Sequence, residues 1–269
     1  MTNTSLTALK TRIAATGISS WPLAIETTMT NGDLSQYSGA IAIEDNGEPL
    51  VELKDLGFLT FDPHPYQHVG APYDHCSPTS IRQSVAERVQ QAERILQHRH
   101  PGYRLKIFDA YRPLAVQTYM VDYTLNQLVQ SQGLQADNLD DATTHTLMAE
   151  VLKIWAKPNT NPLTPPAHST GAAVDLTIVD ENGHPLDMGS EIDALGDVSL
   201  PNHFQNQEGE DAKRFQRNRE LLHAVMSEAG FQRLCHEWWH FSYGDQMWVL
   251  LEQMGGSNEH TTAWYGRIQ

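Results

Sequence analysis

The sequence predicts a single α+β domain in which short strands joined by turns are backed by amphipathic helices. Three observations carry this. Two strand-turn-strand patterns centre on Asn46-Gly47 and Asn182-Gly183, several segments repeat apolar residues every three or four positions, and no internal repeat or linker divides the chain. With 269 residues, 40% of them apolar and 19% charged, the chain is long enough to bury a sizeable core.

Residues 1–60 read as an N-terminal extension packed on the main domain. The first 35 are polar, with a short amphipathic stretch around Leu6 to Ile18. Ala40–Ile43, Asp45-Asn46-Gly47 and Leu50–Leu53 then form a strand, turn and strand, which predicts a hairpin. The main domain spans 61–254. It begins with an irregular stretch to Pro78 that holds four prolines and His64, His68 and His75, which a proline-rich loop is expected to expose. Ser80 is placed to cap a helix to about His98, with Ile81, Val85, Val89, Ala92 and Leu96 on one face, the face that packs on the sheet. Leu105–Phe108 is a short strand. Asp109-Ala110-Tyr111-Arg112-Pro113 turns from it into a second helix, with the proline suited to the first helical position. Arg112 thus sits at a strand-to-helix junction, where functional side chains and structural ion pairs are both found.

A third helical pattern runs from Asp141 to Ala156, and four prolines between Pro158 and Pro166 stiffen the approach to His168. Ala173–Val179, the turn Asp180–Gly183 and the return to Met188 predict a second hairpin. Gly189 to Glu210 is a long acidic loop of the kind that forms lids and binding loops. Asp211–Ala229 is helical and closed by Gly230, and the aromatic run Phe231–Tyr243 is a strand. Residues 255–269 form a polar tail.

A formal charge of -15 and a pI near 5.2 exclude a partner held mainly through phosphates, so neither nucleic acid nor an anionic membrane is expected. The N-terminus lacks an apolar run of signal-peptide length, and no later stretch has the span of a membrane helix. Together with only two cysteines, Cys76 and Cys235, this leads to the expectation of a cytoplasmic protein. Its oligomeric state is not legible.

The chemistry concentrates in His168-Ser169-Thr170-Gly171-Ala172-Ala173-Val174-Asp175. A histidine in a loop and an aspartate on the following strand converge on one ion if the turn between them is tight, and Gly171 has no Cβ to prevent it. A catalytic zinc needs at least one more protein donor and keeps a position for water. His236-Glu237-Trp238-Trp239-His240 formally matches H-E-x-x-H, a helical zinc motif. Here the segment follows a helix-ending glycine and is crowded with residues that favour strands, so the useful pair is Glu237 and His240. His240 then joins His168 and Asp175, and His236 is incidental.

His168 to Asp175 within S/T-G-A-x-D, followed by Glu237-Trp238-Trp239-His240, resembles the zinc D-alanyl-D-alanine metallopeptidases, most of all the D-Ala-D-Ala dipeptidases of the VanX type. Asp109–Pro113 is similar to that family's arginine motif. The resemblance covers about residues 62–243. It implies a small antiparallel sheet with helices on one side and a cleft on the other that holds one zinc ion. It also implies that His168, Asp175 and His240 are ligands, Glu237 is general base and acid towards a zinc-activated water, and Arg112 stabilises the reacting carbonyl oxygen. Asp193 falls where these dipeptidases bind the substrate ammonium group. The family carries a serine two residues before the first ligand histidine, and this chain has Pro166 there. The function implied is hydrolysis of D-alanyl-D-alanine, a small dipeptide substrate. The alternatives are a D,D- or L,D-carboxypeptidase acting on peptidoglycan stem peptides and a zinc-stabilised binding module without catalysis.

Overall fold

The computed structural model describes residues 34–268. The Leu6–Ile18 stretch lies outside them. In chain order the strands are β1 (Ala42–Ile43), β2 (Leu50–Glu52), β3 (Leu59–Thr60), β4 (Ser80–Arg82), β5 (Arg104–Asp109), β6 (Ala173–Val179), β7 (Gln232–Arg233), β8 (His240–Ser242) and β9 (Thr262–Ala263). The main helices are α1 (Gln83–Arg99), α2 (Leu114–Ser131), α3 (Asp141–Val151), α4 (Glu210–Glu228) and α5 (Gln246–Met254).

The central sheet has five strands in the order β3-β5-β6-β8-β7. Only the β3–β5 pair is parallel; the rest is antiparallel. Side chains alternate between faces along a strand. Leu105, Ile107, Val174, Leu176, Ile178 and Phe241 therefore share one face, where they join the main apolar core with α1, α4 and α5. α1 contributes Val85, Ala86, Val89, Ala92 and Leu96, each 0–1% exposed, and α4 contributes Leu222, Val225 and Met226. The opposite face carries Asp175 and His240. A second apolar cluster borders that face, built from Tyr66, Tyr73, Phe108, Trp155 and the buried sides of α2 and α3.

Several local expectations are corrected. The turn at Asp45–Gly47 forms, with Gly47 at φ 71° and its N–H donated to Asp45 Oδ1 at 2.8 Å. Its flanks, however, do not pair with each other: β1 runs parallel to β9, and β2 is antiparallel to β4. The C-terminal tail is thus structural, with Tyr265 only 1% exposed. A two-stranded hairpin alone is marginal, and these short strands gain more by bracing the domain. The buried Arg82 shows how: it donates to Thr170 O, Glu48 O, Asp45 Oδ2 and Gly266 O at 2.6–3.1 Å. Ser80 does not cap α1; it lies in β4, its hydroxyl donating to Glu52 at 3.2 Å. α3 ends at Val151, and its cap is Asp140, which accepts from Thr143 N. The return after the Asp180–Gly183 turn makes only a single bridge, Val179 to Pro185, because β6 pairs with β5 and β8 instead. The aromatic run splits into β7 and β8, joined by the connection that holds His236 and Glu237. His64 is buried, 5% exposed, against Tyr66 and Tyr73.

Candidate metal centre

Register builds the site. Asp175 on β6 is the partner of His240 on β8, and on its other side that of Asp109 on β5. All three point away from the main core. His168 comes from the turn before β6. That turn, Ala167–Thr170, closes on Gly171 at φ 70° and ψ 22°, left-handed backbone that favours glycine. Space selects glycine too, since a Cβ there would lie 2.5 Å from Leu50 Cδ2. Gly171 O accepts from Arg82 N at 2.8 Å and His168 O from Arg112 N at 3.1 Å, so the turn is held from both sides.

His168 Nε2, His240 Nδ1 and the Asp175 carboxylate converge. The imidazole nitrogens lie 3.1 Å apart, Asp175 Oδ1 is 3.0 Å from His240 Nδ1, and Asp175 Oδ2 is 3.2 Å from His168 Nε2. A tetrahedral zinc with bonds near 2.0–2.1 Å keeps its ligand atoms about 3.3 Å apart. The outer nitrogens fit the same reading. His168 Nδ1 donates to Ala110 O at 2.7 Å, which leaves the Nε2 lone pair directed inward. His240 Nε2 faces Ser242 Oγ at 3.5 Å, and that hydroxyl donates to Asp245 at 2.9 Å. These are the His, Asp and His that the sequence indicated, and among the described residues they form the one group able to hold a metal ion.

Glu237 is 5% exposed, with Oε2 3.8 Å from His240 Nδ1. Trp238 and Trp239, each 1% exposed, lie between Glu237 and His240 and anchor both. Burial, reinforced by Asp175 and Asp193 against the pull of His240, pushes the Glu237 carboxyl up to about 8 in the metal-free protein. Burial would also raise Asp175, but His168 and His240 outweigh it and hold that carboxylate below its usual range.

Arg112 reaches the same face. Its Nε donates to Asp109 at 2.8 Å, Nη1 to Gln117 at 3.0 Å, and Nη2 to Asp175 Oδ2 at 3.2 Å and Tyr66 OH at 3.3 Å. The guanidinium lies over the rings of Tyr66 and Trp155, 5.1 and 4.8 Å from their centroids. Burial would lower its pKa, yet the Tyr66 hydroxyl oxygen as acceptor and the Asp109 and Asp175 carboxylates keep it charged. Asp193 lies at the border, with backbone at φ 62°. It accepts from Tyr66 OH at 2.7 Å, so Tyr66 links it to Arg112. Burial and the Asp175 charge raise the Asp193 carboxyl to about 7. The H-E-x-x-H helix is absent: His236 lies between β7 and β8 and is not among the grouped donors.

Sequence reasoning missed Tyr66 and Gln117. Tyr66 lies 46 residues before Arg112 and carried no motif, whereas Gln117, five residues after Arg112, was within reach of a search for guanidinium partners.

Two imidazoles and a carboxylate around one point, with a buried carboxylate and a buried guanidinium beside them, define a mononuclear metallohydrolase site. A model of the D-Ala-D-Ala dipeptidase family of M15 peptidases matches residues 60–256. A D-alanyl-D-alanine dipeptidase of Synechocystis sp. is 44% identical over 236 residues, covering 86% of this chain and 96% of that one. One of Enterococcus faecalis is 25% identical over 193 residues, covering 71% and 86%. A solved structure of VanYB in complex with D-alanine-D-alanine is 15% identical, covers 66% of this chain and 78% of its own, and has a TM-score of 0.40. The chain belongs to the M15 family of D-Ala-D-Ala dipeptidases, and is a zinc metallopeptidase.

Proposed function

We propose that this protein hydrolyses D-alanyl-D-alanine to two molecules of D-alanine, with His168, Asp175 and His240 as the zinc ligands and Glu237, Arg112 and Asp193 acting on water and substrate. Kinship to D-alanyl-D-alanine dipeptidases over most of the chain supports the reaction. The observation that carries the mechanism is the placement of Glu237 within 3.8 Å of a ligand nitrogen, in a buried site. Zinc in the His168–Asp175–His240 triangle supplies Lewis acidity and lowers the pKa of water towards neutrality. Glu237 takes the proton of the attacking water and delivers it to the leaving amine nitrogen. A carboxyl whose proton affinity is raised by burial suits both halves of that transfer. Arg112, held charged, donates to the carbonyl oxygen as negative charge develops there. Asp193 receives the substrate ammonium group, which selects short substrates with a free amine.

A cytoplasmic site of action accords with a content of only two cysteines. No helix among the described residues is long and apolar enough to cross a membrane. The test is release of free alanine, of either configuration, from D-Ala-D-Ala, L-Ala-L-Ala and a stem pentapeptide, with and without zinc. We expect zinc-dependent cleavage of D-Ala-D-Ala alone, abolished in Glu237→Ala with zinc still bound. Preferential cleavage of the pentapeptide would replace this reading with a carboxypeptidase, and full activity of Glu237→Ala would sink the mechanism.

A further inference from the structure

Arg219, in the middle of α4, is 0% exposed, and among the described residues no carboxylate pairs with it. Its partners are neutral oxygens of one loop: Nε donates to Met188 O at 2.7 Å, Nη1 to Leu200 O at 2.7 Å, and Nη2 to Val198 O at 2.9 Å and Ser190 Oγ at 3.2 Å. The guanidinium also lies over Phe204 and Trp238, 4.7 and 5.5 Å from their centroids. Burying a cation without a counter-ion is expensive, and a packed apolar residue would cost less. What the charge secures is a loop of otherwise irregular backbone.

That loop carries Asp193. Both its stems are gripped by the same side chain, at residues 188–190 and at 198–200. Between them Asp193 holds a left-handed backbone at φ 62°, a conformation unfavourable for a non-glycine residue that persists only where its surroundings impose it. The other side of the grip is the catalytic segment. Trp238, which follows Glu237, donates Nε1 to Ser190 Oγ at 2.9 Å and its backbone N–H to Ser199 O at 3.1 Å. Ser190 Oγ therefore receives both Arg219 and Trp238.

We propose that Arg219 is a positioning residue for substrate recognition: it locks the 188–200 loop against the Glu237–Trp238 segment and so fixes Asp193 at the spacing a dipeptide ammonium requires. This rests on the reading of Asp193 as the ammonium receptor. The charge cannot itself attract the substrate amine, so its effect is exerted through the loop.

The experiment measures kcat and KM for D-Ala-D-Ala, with zinc content, on the zinc-loaded enzyme and on Arg219→Lys, Ser190→Ala, Asp193→Asn and the Arg219→Lys/Asp193→Asn double variant. Lysine keeps the charge but cannot reproduce the fork of donors. Arg219→Lys should raise KM roughly tenfold with kcat within about threefold and zinc content unchanged. In the Asp193→Asn background the same substitution should add less than about twofold, since the group it positions is gone. Ser190→Ala should shift KM in the same direction and carries the test if Arg219→Lys fails to fold. The proposal is overturned if Asp193→Asn raises KM while Arg219→Lys and Ser190→Ala leave it unchanged, or if the single effects multiply in the double variant. If Asp193→Asn itself leaves KM unchanged, the ammonium reading fails and the proposal falls with it.

Discussion

Gly171→Ala perturbs the turn that delivers His168 without touching any ligand. Two costs add. The backbone sits at φ 70°, where an L-residue is disfavoured by about 1–2 kcal/mol. The new methyl would lie 2.5 Å from Leu50 Cδ2, the end of a partly exposed side chain that is able to swing away, which limits the packing cost to about 1 kcal/mol. The remaining neighbours, Arg82 Cγ and N at 3.5 and 3.6 Å, are at ordinary contact. The expected destabilisation is about 2–3 kcal/mol. Because Gly171 N–H donates to His168 O at 3.2 Å and Gly171 O accepts from Arg82 N, the strain reaches the ligand, and zinc affinity should fall roughly tenfold, as it does when groups that orient a ligand are disturbed. Urea unfolding in chelator gives the first number and a competitive zinc titration the second. Adding Leu50→Ala should return only the steric share, and Gly171→Asn, better tolerated at positive φ, should cost less than alanine. A Gly171→Ala protein within about 0.5 kcal/mol of the parent and equal in zinc affinity would refute this account of the turn, since even the lower backbone cost exceeds that.

Three further predictions test the site. In the metal-free protein the folded-state Glu237 carboxyl lies near 8 against 4.5 unperturbed, so folding binds a proton. Stability is then fullest below about pH 4.5 and falls as pH rises through about 8, by at most about 5 kcal/mol at roughly 1.4 kcal/mol per unit. Glu237→Gln should flatten that decline, read by urea melts at pH 5 and 8.5 in chelator; equal slopes for both proteins would contradict it. His168→Ala should lose zinc and His236→Ala should keep it, by metal analysis of the purified proteins, whereas the reverse would restore the H-E-x-x-H helix. As the proposed receptor of the substrate ammonium group, Asp193 works only when ionised, and its carboxyl is raised to about 7. Glu237 must also be ionised to act as base, so the acid limb of kcat/KM, which reports the free enzyme, should carry two ionisations in the parent, and Asp193→Asn should make it shallower by one. An unchanged limb in the variant would remove Asp193 from substrate binding.

What was legible follows from how far each decision reaches along the chain. His168 and Asp175 lie within one turn and one strand, and strand alternation already places Asp175 opposite Val174 and Leu176, so a carboxylate on the polar face is readable locally. Glu237 and His240 were separable from His236 because strand-forming residues after a helix-ending glycine exclude the helix the longer motif needs. The Asp45–Gly47 turn was equally local and did form, but no local signal records that β1 would choose β9 at the far end of the chain, or β2 choose β4. Tyr66 and Arg219 escaped for the same reason: Arg219 acts on carbonyls 19–31 residues away, and a backbone carbonyl leaves no mark in a sequence.

This division explains how the chain accommodates Pro166. The turn before β6 uses the Pro166 carbonyl, which accepts from Ser169 N at 2.9 Å and Ser169 Oγ at 2.7 Å, and any residue supplies that acceptor. Proline in place of the family serine therefore removes a hydroxyl while leaving the backing of His168 intact. The ligands stand on the sheet and on a turn braced by Arg82, whereas Asp193 stands on a separate loop gripped by Arg219. In the proposed reading, recognition of the substrate amine through Asp193 and Tyr66 leaves the Pro166 turn unchanged, because among the described residues Tyr66 reaches Asp175 only through Arg112.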